Sequence, residues 1–307
     1  MLSVNELMQR ARAAGLVIPA FNVPYLPMVE PVVRAVADLD SFALVETARL
    51  EWYKFDAKGP REVAAEFARW RDPAHVRLHL DHIPVIDEDN LRVDFLPVIE
   101  EALALGYESV MLDGSRLPFA ENVRTTQQVV ERAHALGVPV ESELGAILGH
   151  EDGPMPSYEE LFASGRGFTD VEEARAFATQ SGCDWLSVAV GNIHGAVAAG
   201  RKDQKKVEAR LNIPHLELLA QAAGIPLVLH GGSGIRQESV LAGVKAGIAK
   251  INVGTEIRQA YEVALRGSGD VAQAQQATYQ RTSEILRDFL GLSGSRKILE
   301  ETLPSLP

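Results

Sequence analysis

Short apolar runs with β-strand character alternate with helical stretches along most of the chain. Eight such runs occur, at 18–23, 42–47, 76–81, 108–112, 138–144, 185–190, 226–230 and 249–253. Segments with helical spacing separate them, at 27–39, 61–71, 91–105, 119–136, 170–181, 215–223 and 236–246. This alternation is typical of a parallel sheet, and eight units in about 250 residues predict a closed (β/α)8 barrel. A doubly wound open sheet is the alternative, although no GxGxxG motif follows the first strand.

Two segments lie outside the eight units but belong to the same single domain, 1–307. The helix predicted at 3–14 would cap the bottom of the barrel. The C-terminal extension 257–307, helical to about residue 291, is expected to dock as an arm on a neighbouring subunit. The predicted fold class is therefore α/β, a (β/α)8 barrel with an N-terminal capping helix and a C-terminal helical arm.

Composition excludes several functional classes. The net charge of −12 argues against a nucleic-acid surface, because no long basic stripe could neutralise phosphates. Cys183 is the single cysteine, so it cannot form an internal disulfide. Since no apolar run approaches the ~20 residues that span a bilayer, we expect no membrane partner and a cytoplasmic location.

Three histidines follow strand-like runs in separate parts of the chain. They are His82 in HLDH, His194 in GNIHG and His230 in LHGGSG. In a (β/α)8 barrel the carboxyl ends of the strands meet at the active-site face. Imidazole nitrogen suits zinc, and three protein ligands leave a fourth position open for substrate. Although one such histidine alone is more often structural, the shared position of all three predicts a catalytic metal site.

Further polar residues fall at the same predicted strand ends, namely Asp81, Asp113, Glu141, Glu143 and Asn252. His79 shares a strand face with Asp81 by period two and could orient a ligand. Strict alternation would, however, place Asp81 and His82 on opposite faces of the strand.

The glycine-rich segment 230–235 follows the seventh run and precedes a helix. Backbone N–H groups in such a segment can approach an anion closely, and the loops after strands 7 and 8 bind phosphate in these barrels. Alone, the segment would be explained as a plain βα turn. Beside Asn252, Thr255 and the glycines of GNIHG, phosphate binding is the better interpretation.

Together these segments resemble the class II, metal-dependent fructose-bisphosphate and tagatose-bisphosphate aldolases. The matching stretches are AFNV (20–23), HLDH (79–82), SVMLDGSRLPFAENV (109–123), VESELG (140–145) with ED (151–152), AVGNIHG (189–195), LHGGSGI (229–235) and KINVGTE (250–256). They follow the family's order across most of the chain.

The resemblance implies a function for each matching residue. Zinc ligands would be His82, His194 and His230, with Glu143 able to hold the metal in an alternative site. Asp81 would be the acid/base at the hydroxyl of the bond being cleaved. Glu151 would move the proton on the dihydroxyacetone phosphate carbon. Substrate would be bound by Asn22, Gly195, Gly231, Ser233, Asn252 and Thr255.

The implied activity is zinc-dependent cleavage of a ketose 1-phosphate or 1,6-bisphosphate to dihydroxyacetone phosphate and an aldehyde through a metal-stabilised enediolate. The resemblance also implies a monovalent cation near the phosphate and a homo-oligomer, a dimer or tetramer. A Schiff-base mechanism through Lys250 is the weaker choice, because its neighbours follow the metal-type pattern. A metal-dependent phosphosugar isomerase or epimerase and a catalytically silent sugar-phosphate binder are the alternatives.

Two segments bear on how the substrate is bound and enclosed. After the second run the bisphosphate aldolases carry a serine- and glycine-containing stretch that contacts the far phosphate. This chain has VETARLEWYKF at 45–55 instead, where Glu46 and Glu51 would oppose an anion and Arg49 could compensate. Tyr25 also replaces a family asparagine. The loop 146–167 is expected to be a mobile lid that delivers Glu151.

Overall fold

The computed structural model describes residues 1–145, 158–192, 209–232 and 234–301, and its eight parallel strands close into a barrel. The strands are β1 Ile18–Asn22, β2 Ala43–Ala48, β3 Val76–Pro84, β4 Ser109–Asp113, β5 Val140–Leu144, β6 Trp185–Val188, β7 Leu227–Leu229 and β8 Ile248–Val253. Neighbours in sequence pair in parallel, and β8 pairs with β1 to complete the ring. The predicted barrel is thereby confirmed, and the open-sheet alternative is wrong.

Helices connect the strands on the outside of the barrel. Those after β1 to β8 that the structure describes are Val29–Asp38, Arg49–Lys54, Pro60–Trp70, Phe95–Ala104, Phe119–His134, Tyr158–Ser164, Val171–Ser181, Ile213–Ala223, Gln237–Lys245 and Thr255–Ser268. Two of these were not predicted. Arg49–Lys54 follows β2 directly, and Tyr158–Ser164 lies inside the segment 146–167 that was expected to be a loop.

The N-terminal helix Val4–Ala14 closes the bottom of the barrel, as predicted. A capping box starts it, since the Ser3 hydroxyl accepts from the Glu6 N–H at 3.2 Å and Glu6 Oε2 accepts from the Ser3 N–H at 2.7 Å. Met8 and neighbouring apolar side chains of the helix pack in one buried cluster with Trp185 and with inward-facing strand residues. The lower half of the barrel interior is therefore apolar.

The C-terminal extension packs on the chain's own barrel. It continues through Val271–Glu284, the π-helical turn Ile285–Phe289 and the helix Ser295–Glu300. Arg10 joins the two ends of the chain, because its guanidinium donates to the backbone carbonyls of residues 299, 300 and 301 at 3.0 Å each. Docking of the arm on a neighbouring subunit stays a prediction. Within the described ranges, the helices are too short or too polar to cross a membrane.

Candidate active site

A local irregularity in β3 brings two adjacent polar residues into one site. The pairing of β3 with β4 shifts register between Leu80 and Ile83, and His82 has a φ of 40°. This left-handed conformation is uncommon for a residue other than glycine, and a bulge of this kind re-aims a side chain. Ligand atoms of Asp81, His82 and His230 consequently lie within 4.8 Å of one another. The bulge removes the objection that strict alternation would separate Asp81 from His82.

This cluster has the donor set of a divalent metal site. The rings of His82 and His230 have centroids 4.4 Å apart. His82 also belongs to a second group with Asp113 and Glu143, whose ligand atoms again lie within 4.8 Å of one another. Two imidazoles with several carboxylates suit a borderline cation such as zinc. The residues therefore fit the metal that the sequence predicts.

His230 is oriented by carboxylates on both sides of its ring. Glu141 Oε1 lies 2.8 Å from Nε2, and Glu143 Oε2 lies 3.0 Å from Nδ1. The Asn192 side-chain amide donates to the His230 backbone carbonyl at 3.0 Å. A metal bound at one ring nitrogen would replace one carboxylate contact, and the other would hold the ring in place.

The electrostatics of the cluster favour a cation. Burial alone would lower the pKa of His82, but the negative charges of Asp81 and Asp113 raise it well above its usual range. Burial and the charge of His82 likewise lower the pKa of His230, yet its carboxylate contacts raise it overall. Both shifts favour the protonated imidazole, because the surrounding carboxylates are negatively charged. A divalent ion would meet the same demand for positive charge.

Asp81 is held ionised by amide donors on both carboxylate oxygens. Asn22 Nδ2 donates to Oδ2 at 3.0 Å, and Asn252 Nδ2 donates to Oδ1 at 2.9 Å. Although burial raises the pKa of Asp81, the charges of His82 and Lys250 bring it well below its usual range. The site therefore presents a fixed carboxylate base next to the candidate metal ligands.

Lys250 forms the centre of a buried polar network beneath the site. Its Nζ lies 2.7 Å from Asn252 Oδ1, 2.9 Å from Glu141 Oε2 and 3.3 Å from Glu46 Oε2. Burial lowers its pKa, but the two carboxylates outweigh that effect and raise it, so the amine stays protonated. A protonated amine cannot act as the nucleophile that forms a Schiff base. The contacts of Lys250 therefore favour a metal-dependent mechanism over a Schiff-base mechanism through this residue. The contact with Asn252 Oδ1 also turns the NH2 group of Asn252 towards Asp81.

His79 and Glu46 face the barrel interior. His79 Nδ1 lies 2.8 Å from Ser109 Oγ, and its Nε2 lies 3.5 Å from Glu141 Oε2. This position agrees with the shared face predicted for His79 and Asp81. Glu46 differs from the expectation, because it is completely buried against Lys250 rather than exposed to a substrate phosphate at the rim.

The candidate phosphate region lies where β7 and β8 end. Gly231 has a φ of 65°, and a Cβ on Gly232 would come within 2.9 Å of the Ile251 side chain. A narrow pocket there is lined by Gly232, Asn252 and Gly254 together with side chains of the π-helical turn. Thr255 begins the helix Thr255–Ser268, whose N-terminal N–H groups favour an anion.

Several polar groups in the segment that follows β2 form ion pairs or hydrogen bonds within the chain. Arg49 Nη1 lies 3.5 Å from Asp87 Oδ2, and its guanidinium covers the Tyr53 ring at 4.8 Å. Glu51 is buried and accepts the Ala48 N–H at 2.9 Å. Tyr25, the other departure, donates its hydroxyl hydrogen to Glu262 Oε1 at 2.9 Å. Four predicted site residues lie outside the described residues: Glu151, His194, Gly195 and Ser233.

Comparisons with known proteins agree on one family. The family model described as fructose-bisphosphate aldolase class-II matches residues 2–296. A fructose-bisphosphate aldolase of Streptococcus pneumoniae serotype 4 is 34% identical over 283 residues, which cover 91% of this chain and 87% of that protein. The crystal structure of the YdjI aldolase from Escherichia coli K12 superposes with a TM-score of 0.75 at 27% identity, covering 96% of this chain and 100% of that one. Fructose-bisphosphate aldolase from Campylobacter jejuni, at 19% identity and a TM-score of 0.72, covers 95% and 96% and supports the fold alone.

Proposed function

Since the chain belongs to the class II fructose-bisphosphate aldolase family and is a lyase, we propose that it reversibly cleaves a ketose 1-phosphate or 1,6-bisphosphate. The products are dihydroxyacetone phosphate and an aldehyde. The family is metal-dependent and acts on phosphorylated sugars, and we propose zinc as the metal here. The observation that carries the proposal is the ionised Asp81 beside His82 and His230, with ligand atoms within 4.8 Å of one another.

In this proposal zinc is held by His82, His194 and His230. Glu143 offers an alternative position, since it groups with His82 and Asp113. When bound, the ion supplies Lewis-acid chemistry, which stabilises negative charge that develops on the substrate oxygens. Glu141 keeps the His230 ring oriented for this purpose, because it contacts Nε2 at 2.8 Å.

Asp81 acts as the base in the cleavage direction. Its carboxylate takes the proton of the hydroxyl on the carbon that becomes the aldehyde. The carbon–carbon bond next to that carbon then breaks, and its electron pair moves to the carbon beside the ketone. Glu151 is proposed to protonate that carbon, which completes dihydroxyacetone phosphate. In the synthetic direction Asp81 returns its proton to the aldehyde oxygen.

Substrate binding is proposed for residues at or after β1, β6, β7 and β8 in the sequence. Gly231, Thr255, Gly195 and Ser233 would receive the phosphate of dihydroxyacetone phosphate through backbone and hydroxyl donors. Asn22 and Asn252 hold Asp81 and would also contact substrate hydroxyls. A monovalent cation beside the phosphate and a homo-oligomeric assembly belong to the same proposal.

The test is a coupled assay for dihydroxyacetone phosphate, run on a panel of ketose 1-phosphates and 1,6-bisphosphates. Metal content is measured on the same preparation, and the assay is repeated after chelation and after zinc is added back. We expect release that a chelator abolishes and zinc restores. An isomerase or epimerase would convert a substrate without releasing an aldehyde. A zinc-loaded protein that converts nothing would be the silent binder, and either result would contradict the proposal.

A further inference from the structure

We infer that Lys250 is a positioning residue for bond cleavage: its ammonium group fixes the Asn252 side chain, which in turn fixes the Asp81 carboxylate. The inference rests on the proposed cleavage reaction and deepens it, because it gives a role to a buried residue outside the acid/base and metal groups. It is carried by two consecutive short contacts. Lys250 Nζ donates to Asn252 Oδ1 at 2.7 Å, and Asn252 Nδ2 donates to Asp81 Oδ1 at 2.9 Å.

The two neighbours of Asn252 determine which way its amide points. A lysine ammonium has only donors, so the amide must contact it through the carbonyl oxygen. An ionised carboxylate has only acceptors, so the amide must face Asp81 with its NH2 group. Lys250 and Asp81 therefore hold opposite ends of one amide. The strand itself supports this arrangement, because Lys250 and Asn252 are two residues apart on β8.

The two amides that donate to Asp81 are restrained in different ways. Asn22 is 9% exposed, and a Cβ on Gly254 would lie 3.1 Å from its Oδ1, so close packing holds this side chain. Asn252 is only partly buried and lines the pocket at the ends of β7 and β8. Packing therefore restrains Asn252 less than Asn22. The contact with Lys250 supplies the restraint that packing does not.

Lys250 can hold Asn252 because its own position is fixed. The side chain is completely buried, and its Nζ also forms ion pairs with Glu141 Oε2 at 2.9 Å and Glu46 Oε2 at 3.3 Å. One oxygen is thus available for each of the three N–H donors of the ammonium. Charge balance alone would explain the two carboxylates. It does not explain why the shortest of the three contacts is made with a neutral amide that faces the base.

The test separates bond cleavage, in which Asp81 acts, from proton exchange on the dihydroxyacetone phosphate carbon, which is proposed for Glu151. Zinc-loaded protein is assayed for cleavage of its ketose phosphate substrate. It is also assayed for loss of deuterium from labelled dihydroxyacetone phosphate at saturating concentration, without an aldehyde. We expect Lys250→Met to lower kcat for cleavage by ~10–100-fold, the effect of a misplaced catalytic group, and to change the exchange rate by less than ~3-fold. Lys245→Met, at an exposed helix position, should change neither rate.

A double-mutant cycle tests whether Lys250 acts through Asp81. In Asp81→Ala the base is absent, so its position no longer matters. Adding Lys250→Met to this variant should therefore cause no further loss of cleavage. Losses that multiply in the double variant would show that Lys250 acts independently of Asp81 and would overturn the inference.

The outcomes separate this inference from the function on which it rests. Equal losses of cleavage and exchange in Lys250→Met would show that Lys250 is only structural and would overturn the inference, as would cleavage at the wild-type rate. If the single variant does not fold, Lys250→Met is combined with Glu46→Gln, which removes one charge of each sign from the barrel interior. The same difference between cleavage and exchange is expected there, relative to Glu46→Gln alone. No cleavage of any ketose phosphate by zinc-loaded wild-type protein would instead overturn the proposed function.

Discussion

The ionised state of Asp81 is the most consequential property of any one residue in the site. Its two oxygens accept from Asn22 and Asn252, and neighbouring positive charge keeps its pKa low. We predict that Asp81→Ala lowers kcat by about 10²–10⁴-fold, the usual contribution of a general base. Zinc content should stay unchanged, because the three histidines would still bind the ion. Near-normal turnover would show that the assigned mechanism is wrong, and exposed Asp89→Ala is the control.

Lys250 matters for stability because it is the cation that faces both Glu46 and Glu141 in the barrel interior. We predict that Lys250→Met lowers the free energy of unfolding by about 3–5 kcal/mol, since it leaves buried carboxylates without a counter-charge. Adding Glu46→Gln should recover part of the loss. Urea unfolding measures both effects, and Lys245→Met, at an exposed helix position, is the matched control. Equal stability of Lys250→Met and wild type would refute this role.

Glu51 should also make stability depend on pH. Burial raises its pKa in the folded chain to about 8 from the ordinary value of 4.5, so the folded state favours the protonated acid. The corresponding stabilisation is complete below pH 4.5 and is lost as the pH rises through about 8. We predict that wild type loses stability relative to Glu51→Gln between pH 5 and pH 8. A difference that stays constant across urea titrations at those pH values would contradict the assignment.

At the scale of elements, strands and helices were predictable where the pattern is local. All eight strands lie within a few residues of the apolar runs, because parallel strands that are buried on both faces consist of consecutive apolar residues. The bulge in β3 was not predictable, since it depends on how β3 pairs with β4. The helix Arg49–Lys54 was missed for a related reason, because the six residues are too short for a periodic signal.

Some contacts of the candidate site were also predictable from the sequence, and others were not. The strand ends predicted which residues could meet, and the structure brings Asp81, His82 and His230 together. The network around Lys250 joins side chains from β2, β5 and β8, so no local pattern could reveal it. The sequence does carry one indication, because the period-two alternation of a strand puts Lys250 and Asn252 on the same face of β8.

The N-terminal helix contributes stability far from the chemistry. Met8 is fully buried in the cluster that fills the bottom of the barrel. We predict that Met8→Ala lowers the free energy of unfolding by about 2–5 kcal/mol and leaves KM unchanged. Gln9→Ala, on the exposed face of the same helix, is the control. Denaturant unfolding and steady-state kinetics check the two parts, and a changed KM would mean that the bottom of the barrel affects the site.

At the scale of the whole molecule, the barrel has a polar upper half and an apolar lower half with separate tasks. The upper half holds buried carboxylates, histidines and Lys250, each of which costs free energy to desolvate. The lower half contains Ile18, Leu44 and Trp185 under the N-terminal helix. Burial of these apolar side chains offsets the cost of the charged layer above them. Stability and chemistry are therefore separated along the barrel axis.

The C-terminal segment packs on two apolar clusters, with Leu299 in the cluster at the bottom of the barrel and Leu292 in the larger one. Leu292 and Leu299 are each 2% exposed, and Arg10 donates to carbonyls of the last described turn. We predict that the free energy of unfolding of a chain ending at Gly291 is lower by at least about 3 kcal/mol, because two buried leucines are lost. A chain ending at Glu301 keeps these contacts and is the control. If the extension acts instead by docking on a neighbouring subunit, light scattering would show a changed oligomeric state without that loss of stability.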